Sequence, residues 1–410
     1  MHRFRRFFGL SLLLCAAISG SSLARAAGEP PHSLAEALAQ GKVSLQLRAR
    51  FEGVDQTGLR DADALTLRTR LGFTSAPWSG WSGSVEAESI AALDGDRYSQ
   101  AGLNPGGAGR AVVADPTSTE INQAFLRGAF PAATVATLGR QRLVLDNARF
   151  IGDVGWRQNQ QTFDAFTLQS QALSKTTLTY AYLHRIHRVF GDRHPQGNWT
   201  SASLVVHGVR SGLPAGGIVA AYAYLLDFDN AAANACATYG LNYSGSFSPS
   251  NRLKVPFRLE AARQSDYGSS PLHYTTDYLA AEAGVGGSAG TLSLGAEWLG
   301  SDRQIGFKTP LATLHAFNGW ADLFLTTPGA GLRDTYFKVV GRLPGALTAT
   351  AFFHRFETDQ RARLGKETDV MVARSLNKLV TLTAKFATFS SSSPVYPDVR
   401  KLWLQVEFVH

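Results

Sequence analysis

The chain has 410 residues, 40 Lys+Arg against 32 Asp+Glu for a formal charge of +8, and 10% aromatic residues. Beyond the first 26 residues no apolar run reaches the ~18 residues of a spanning helix, which excludes a helical membrane protein, and the two cysteines, Cys15 and Cys236, are too few for a disulfide-stapled scaffold. Forty glycines with that aromatic content suit many short strands joined by tight turns.

Residues 1–26 read as a secretory leader. Arg3, Arg5 and Arg6 supply the positive start, Phe7 to Ala17 the apolar run and Ala24-Arg25-Ala26 a small-x-small cleavage site. Leu14 stands before Cys15 where a lipoprotein signal requires a small residue, so lipidation is not expected. Cleavage would leave residues 27–410 as a single domain. Its 36 basic and 32 acidic side chains give +4, and with Cys236 alone in an oxidising compartment it can form no internal disulfide. Export also sets aside the nucleic-acid reading that arginines and aromatics would otherwise invite.

After one or two expected helical turns over Ser33 to Gln40, the pattern becomes two-fold alternation. In Val43 to Val54, Val43, Leu45, Leu47, Ala49 and Phe51 fall on one side, and Ser44, Gln46, Arg48, Arg50 and Glu52 on the other. Leu65, Leu67, Leu71 and Phe73 then oppose Thr66, Arg68 and Arg70; in Trp81 to Ser89, Val85 and Ala87 oppose Ser82, Ser84, Glu86 and Glu88. Further β-rich segments lie near 119–130, 134–143, 162–172, 176–186, 199–210, 216–228, 236–247, 251–265, 276–287, 290–299, 316–326, 332–342, 346–358, 366–375, 379–389 and 399–410. Most approach the ~9–11 residues of a tilted transmembrane strand. With the first three that makes nineteen. Single-chain bacterial barrels use even numbers, so at least one is expected to be false, 134–143 and 316–326 being the weakest. The expected fold is all-β, a closed transmembrane antiparallel barrel of about 18 strands, because only a closed sheet satisfies every backbone group in lipid. Short connections such as 173–175, 248–250, 286–290 and 343–345 read as periplasmic. The stretches 92–118, 144–161, 187–198 and 300–315 read as long external or inward-folded loops. The last strand puts Leu402, Leu404, Val406 and Phe408 on one face and Trp403, Gln405 and Glu407 on the other, and ends on His410 where outer-membrane barrels usually place an aromatic residue.

Two long segments carry a family resemblance. One runs from Phe307 to Asp322, FKTPLATLHAFNGWAD; the other from Gly139 to Asp164 contains Gly139-Arg140-Gln141 and Trp156-Arg157-Gln158-Asn159. Shorter echoes occur at Glu120 to Leu126, Arg188 to Asp192 and Thr327 to Asp334. Together they resemble the bacterial alginate-export porin family. The resemblance implies an eighteen-stranded barrel in the Gram-negative outer membrane, with an arginine-rich electropositive lumen that passes an anionic polysaccharide or oligosaccharide.

Arg48, Arg50, Arg68 and Arg70 share a parity on adjacent strands, so all four point into the lumen if the apolar faces meet lipid. A planar guanidinium binds a uronate carboxylate through two bonds and releases it when the next arrives. Arg140, Arg142, Arg149 and Arg157 extend this expected substrate path. The alternative is that these arginines pair with Glu52, Glu86, Glu88, Glu120, Asp146 and Asp153 and brace a polar interior. His315, Asn318, Trp320 and Asp322 are expected to shape the pore. A catalytic reading, with His315 as base and Asp322 as its orienter, fails on an extended strand, where seven residues separate them too widely to bond. No Gly-x-Ser-x-Gly nucleophile motif and no Gly-x-x-x-x-Gly-Lys phosphate loop occurs, and His184, His187 and His194 make only a weak cluster, so neither enzyme activity nor a cofactor or metal is expected. The expected partners are outer-membrane lipid, the barrel-insertion machinery and the anionic sugar, with the protein acting as a monomer and preferring anions. A porin for small organic anions or other sugars is the alternative.

Overall fold

The computed structural model describes residues 29–410; the leader and Cys15 lie outside them. A short helix, α1 (Leu34–Ala39), is capped by the Ser33 hydroxyl, which accepts from the Glu36 N–H at 3.2 Å. Eighteen strands follow. They are β1 (Lys42–Gln56), β2 (Ala62–Thr74), β3 (Trp81–Ala92), β4 (Ser118–Phe130), β5 (Thr134–Gln141), β6 (Thr162–Ser170), β7 (Thr176–His187), β8 (Asn198–Leu213) and β9 (Gly217–Leu226). The second half comprises β10 (Cys236–Ser250), β11 (Leu253–Ser265), β12 (Thr275–Gly286), β13 (Gly290–Leu299), β14 (Leu332–Leu343), β15 (Leu347–Glu357), β16 (Arg363–Ser375), β17 (Val380–Ser391) and β18 (Val399–Val409). Each pairs antiparallel with the next, and β18 returns to β1 with Glu407 opposite Arg48 and Gln405 opposite Arg50. A flat sandwich would leave sheet edges; closure leaves none.

Alternation decides which face meets lipid. Leu71 and Leu294 are 56% and 67% exposed, while their strand neighbours Arg70 and Ser293 are buried; Leu126 and Leu138, 56% and 60% exposed, belong to the same outward surface. A charge placed at mid-membrane on the outer face would cost about 2–4 kcal/mol, so the apolar rows must face out and the charged rows in. At the rim with short connections Trp81 and Phe130 pack edge to face at 5.7 Å, as interfacial aromatics do.

The start of β1 and the end of β18 lie at that rim. Its connections include 131–133, 214–216 and 344–346, whereas the opposite rim carries the long segments 93–117, 142–161 and 300–331. Two expectations are corrected. The segment 316–326 is not a strand: Asn318, Gly319 and Asp322 adopt left-handed φ of +55°, +86° and +63°, which no ladder accepts, and the loop expected to stop at 315 continues to 331. Of the two weak segments, the first is real, as β5.

Candidate functional site

The site is the barrel interior, where strands β1, β2 and β18 form one wall and the segments 142–161 and 300–331 fold against it. Arg48 stands opposite Arg68 in register, with Gln46 opposite Arg70 and Arg50 opposite Thr66, so the four arginines line adjoining strands as their parity requires. Each has an acidic neighbour. Arg48 Nη2 and Arg68 Nη2 reach the same oxygen of Glu407 at 2.7 and 3.1 Å; Arg70 pairs with Glu88; Arg50 lies 3.5 Å from Asp115. Even so, the Nε and Nη1 of Arg68 and the Nη2 of Arg70 are buried without a hydrogen-bond partner. A buried guanidinium N–H with no acceptor is costly.

The wall also holds the inward loop. Arg48 Nη1 donates to the carbonyls of Gly155 and Trp156 at 3.1 and 3.3 Å, Arg50 Nη2 donates to the Trp156 carbonyl at 2.6 Å, and the Arg50 guanidinium lies 4.2 Å from the Trp156 ring centre. The polar run Gln158 to Gln161 has a clear physical purpose. Irregular backbone at membrane depth must find partners inside the protein. Gln158 Nε2 donates to Thr66 Oγ1 at 2.9 Å, Gln160 Nε2 to Asp153 Oδ2 at 2.7 Å, and Gln161 Nε2 to the Gly152 and Leu311 carbonyls at 2.8 and 3.1 Å.

The arginines of the second segment divide. Arg157 bridges three elements, pairing with Glu52 on β1 at 3.0 Å and with Asp322 at 2.8 Å. Arg149 reaches across to Glu297 on β13 at 2.7 Å and to Asn318 Oδ1 at 3.1 Å. Arg142 pairs with Asp153 and stays half-exposed. Arg140 departs from expectation: in register it stands opposite Ala124 and Asp164, two residues along from the exposed pair Leu138 and Leu126, and so belongs to the outward face at the external rim rather than to the lumen. Ordinary alternation from the outward Leu138 puts it there, with Gln141 beside it buried.

The segment 307–322 is folded inside the barrel. His315 and Asp322 do bond, Nδ1 to Oδ1 at 2.6 Å, because the chain turns back between them. The geometric reason for dismissing that pair therefore fails, but the other imidazole nitrogen is also occupied, 2.6 Å from Lys385 Nζ. Lys385 in turn sits over Trp320 at 3.5 Å and Trp156 at 4.2 Å, an aromatic cage around a buried amine. Burial alone would raise the Asp322 carboxyl, yet His315, Lys401 and Arg157 together hold it well below the usual carboxylate range. Trp320 and Ala321 donate their N–H groups to Asp369 and Glu367 on β16 at 3.2 and 2.6 Å, completing the attachment. Among the carboxylates considered from sequence, Glu52, Glu88 and Asp153 do brace arginines. Glu86 instead accepts from Asn122 at 2.6 Å, Asp146 pairs with His207 at 2.9 Å, and Glu120 accepts the Asp192 N–H at 2.9 Å.

Glu407, Asp115, Glu297, Lys385 and Lys401 escaped the sequence reading as site residues. Glu407 had a signal, since it shares the non-apolar face of the last strand with Trp403 and Gln405; the others pair across more than 100 positions or through loops. No group of three or more His, Cys, Asp or Glu side chains placed to hold a metal occurs among the described residues.

Residues 40–182 match the family described as alginate export, in agreement with the resemblance of the segment around Trp156. Among curated proteins no sequence matches. The fold is similar to solved outer-membrane proteins. Pseudomonas aeruginosa OpdK, solved with vanillate, superposes with a TM-score of 0.72 at 14% identity, covering 91% of this chain and 99% of that one. P. aeruginosa OccK9 (OpdG) gives 0.71 at 18% identity over 91% and 100%, and Acinetobacter baumannii OccAB3 gives 0.70 at 14% over 91% and 99%.

Proposed function

We propose, starting from an outer-membrane channel whose residues 40–182 match the alginate-export family, that this protein passes carboxylate-bearing sugars, oligouronates or a polyuronate, by passive diffusion along the β1–β2 arginine wall. The supporting observation is the set of Arg48, Arg50, Arg68 and Arg70 on adjoining strands, with guanidinium N–H groups on Arg68 and Arg70 that no protein acceptor satisfies. Glu407 and Glu88 hold these forks in place and temper the cationic field, so a carboxylate binds and leaves rather than lodging. Arg142, Arg149 and Arg157 act on this path mainly by fixing the inward loops. His315, Asn318, Trp320 and Asp322 set the bore by tying the segment 300–331 to β16, β17 and β18. His315, bonded through both ring nitrogens, serves attachment and not catalysis in this reading.

A second reading has its own support. Two loops fold into the barrel and narrow it, and the similarly folded OpdK was solved with vanillate, so a porin for small organic carboxylates fits the same wall. Single-channel recording of the refolded protein in a planar bilayer separates them. The polyuronate reading expects anion preference from the reversal potential, dose-dependent block by oligomannuronate, and relief of block in R68A/R70A. Block by small aromatic carboxylates alone would assign the second reading. Cation preference with no block by either would remove both.

A further inference from the structure

Opposite the lumen, the outer face of β15 and β16 carries a charge arrangement that pore function does not use. Arg355 stands directly opposite Lys366 in register. Both are exposed, and both belong to the outward row, since Phe353 two residues before Arg355 and Val370 four residues after Lys366 are 49% and 39% exposed to lipid. Like charges directly opposite on one sheet face repel. Arg363, at the start of β16, adds a third cation one rung further out.

These three side chains, with Phe356, Gly365 and Ser392, line a cavity of about 90 Å³ at the external rim. Glu357 is the neighbouring carboxylate, and it is already shared between Arg355 at 2.5 Å and Arg361 at 3.3 Å. Arg363 and Lys366 have no carboxylate within 4.0 Å among the described residues. On the same rim Arg263, by contrast, makes two bonds to Asp277 at 2.8 and 3.2 Å.

We infer that Arg355, Arg363 and Lys366 form a binding site for a phosphate group of an outer-leaflet lipid. The anion would neutralise the opposed pair, and its position at the strand ends, directly above the apolar row of Phe353, Val370 and Phe386, suits a headgroup whose acyl chains run down that row. A free phosphate would satisfy the charges but not use the apolar surface beneath them.

The test uses the full barrel in detergent, titrated with diphosphoryl lipid A, its dephosphorylated counterpart and inorganic phosphate, with bound lipid counted by native mass spectrometry. The site requires the diphosphoryl form to bind at least tenfold more tightly than the dephosphorylated one in the unmodified protein. It also requires R363Q/K366Q to lose that preference while R263Q, a paired arginine on the same rim, keeps it. Equal binding of both lipids, equal loss in R263Q, or displacement of the lipid by millimolar inorganic phosphate would each overturn the assignment. The comparison of lipids needs no variant, so a folding defect in R363Q/K366Q cannot mask the answer.

Discussion

At the scale of single residues, buried charge governs this interior. Glu407 neutralises two arginines at once, so Glu407→Gln is expected to shift the reversal potential further toward anions, and Arg48→Ala to shift it back; unchanged selectivity in both would show that neither group faces the ion path. Asp322 collects Arg157, His315 and Lys401. Removing one member of a buried ionic cluster costs about 3–5 kcal/mol because the remaining charges stay desolvated. Asp322→Asn should therefore loosen residues 307–322, measured as lost hydrogen-exchange protection. The pH sign follows from the direction of its shift. A carboxylate depressed in the folded state contributes fully above its unfolded value of ~3.9 and loses that contribution only as pH falls through the lower folded value. The Asp322 contribution should thus be constant from pH 8 to 5, so Asp322→Asn should lose the same protection relative to the unmodified protein at pH 8 and at pH 5 after correction for intrinsic exchange.

At the scale of elements, alternation and two backbone exceptions set the strands. Leu294, 67% exposed in the middle of β13, faces lipid, and Leu294→Arg should destabilise the barrel by roughly 2–4 kcal/mol in reversible denaturant unfolding into liposomes. Gly139 on β5 holds φ +122°, and a Cβ there would fall 2.3 Å from the Ala124 carbonyl oxygen. Gly139→Ala is expected to cost about 1–3 kcal/mol in the same assay, visible also as a lower heat-modifiable fraction on gels. The strand pattern was readable because a period of two is local: each of β1, β2 and β18 announces its faces from its own residues. The false strand at 316–326 shows the limit. Its β-rich composition is real, but Asn318 and Asp322 turn the chain, and what holds them is Arg149 and Glu297 against Asn318 and Arg157 and Lys401 against Asp322, none of which a local pattern can assign.

At the scale of the molecule, the barrel and its filling are separable. Eighteen strands close through backbone bonds alone, whereas the bore depends on how 142–161 and 300–331 dock. Deleting residues 308–326 is expected to raise single-channel conductance while leaving heat-modifiability intact; unchanged conductance would mean that the segment does not border the ion path. The family segments resembling alginate export fall mostly in these two loops and not in the lipid-facing rows. That distribution is physical: an outer row requires only apolar side chains, which many sequences supply, while an inward loop requires specific polar partners for its backbone. Hence the similarity in fold to OpdK and OccK9 survives at 14% and 18% identity.

The sequence by itself determined the architecture and the lumen-facing parity of Arg48, Arg50, Arg68 and Arg70, because both rest on short-range periodicity. Tertiary structure alone decided that these arginines share Glu407, Glu88 and Asp115, and that Lys385 is caged between Trp156 and Trp320. It also decided that Arg355, already paired with Glu357, faces a Lys366 that has no carboxylate of its own on the lipid side. Those outcomes depend on strand register and on where distant loops settle, and a charge is neutralised by its neighbour in space, which the order of residues along the chain does not specify.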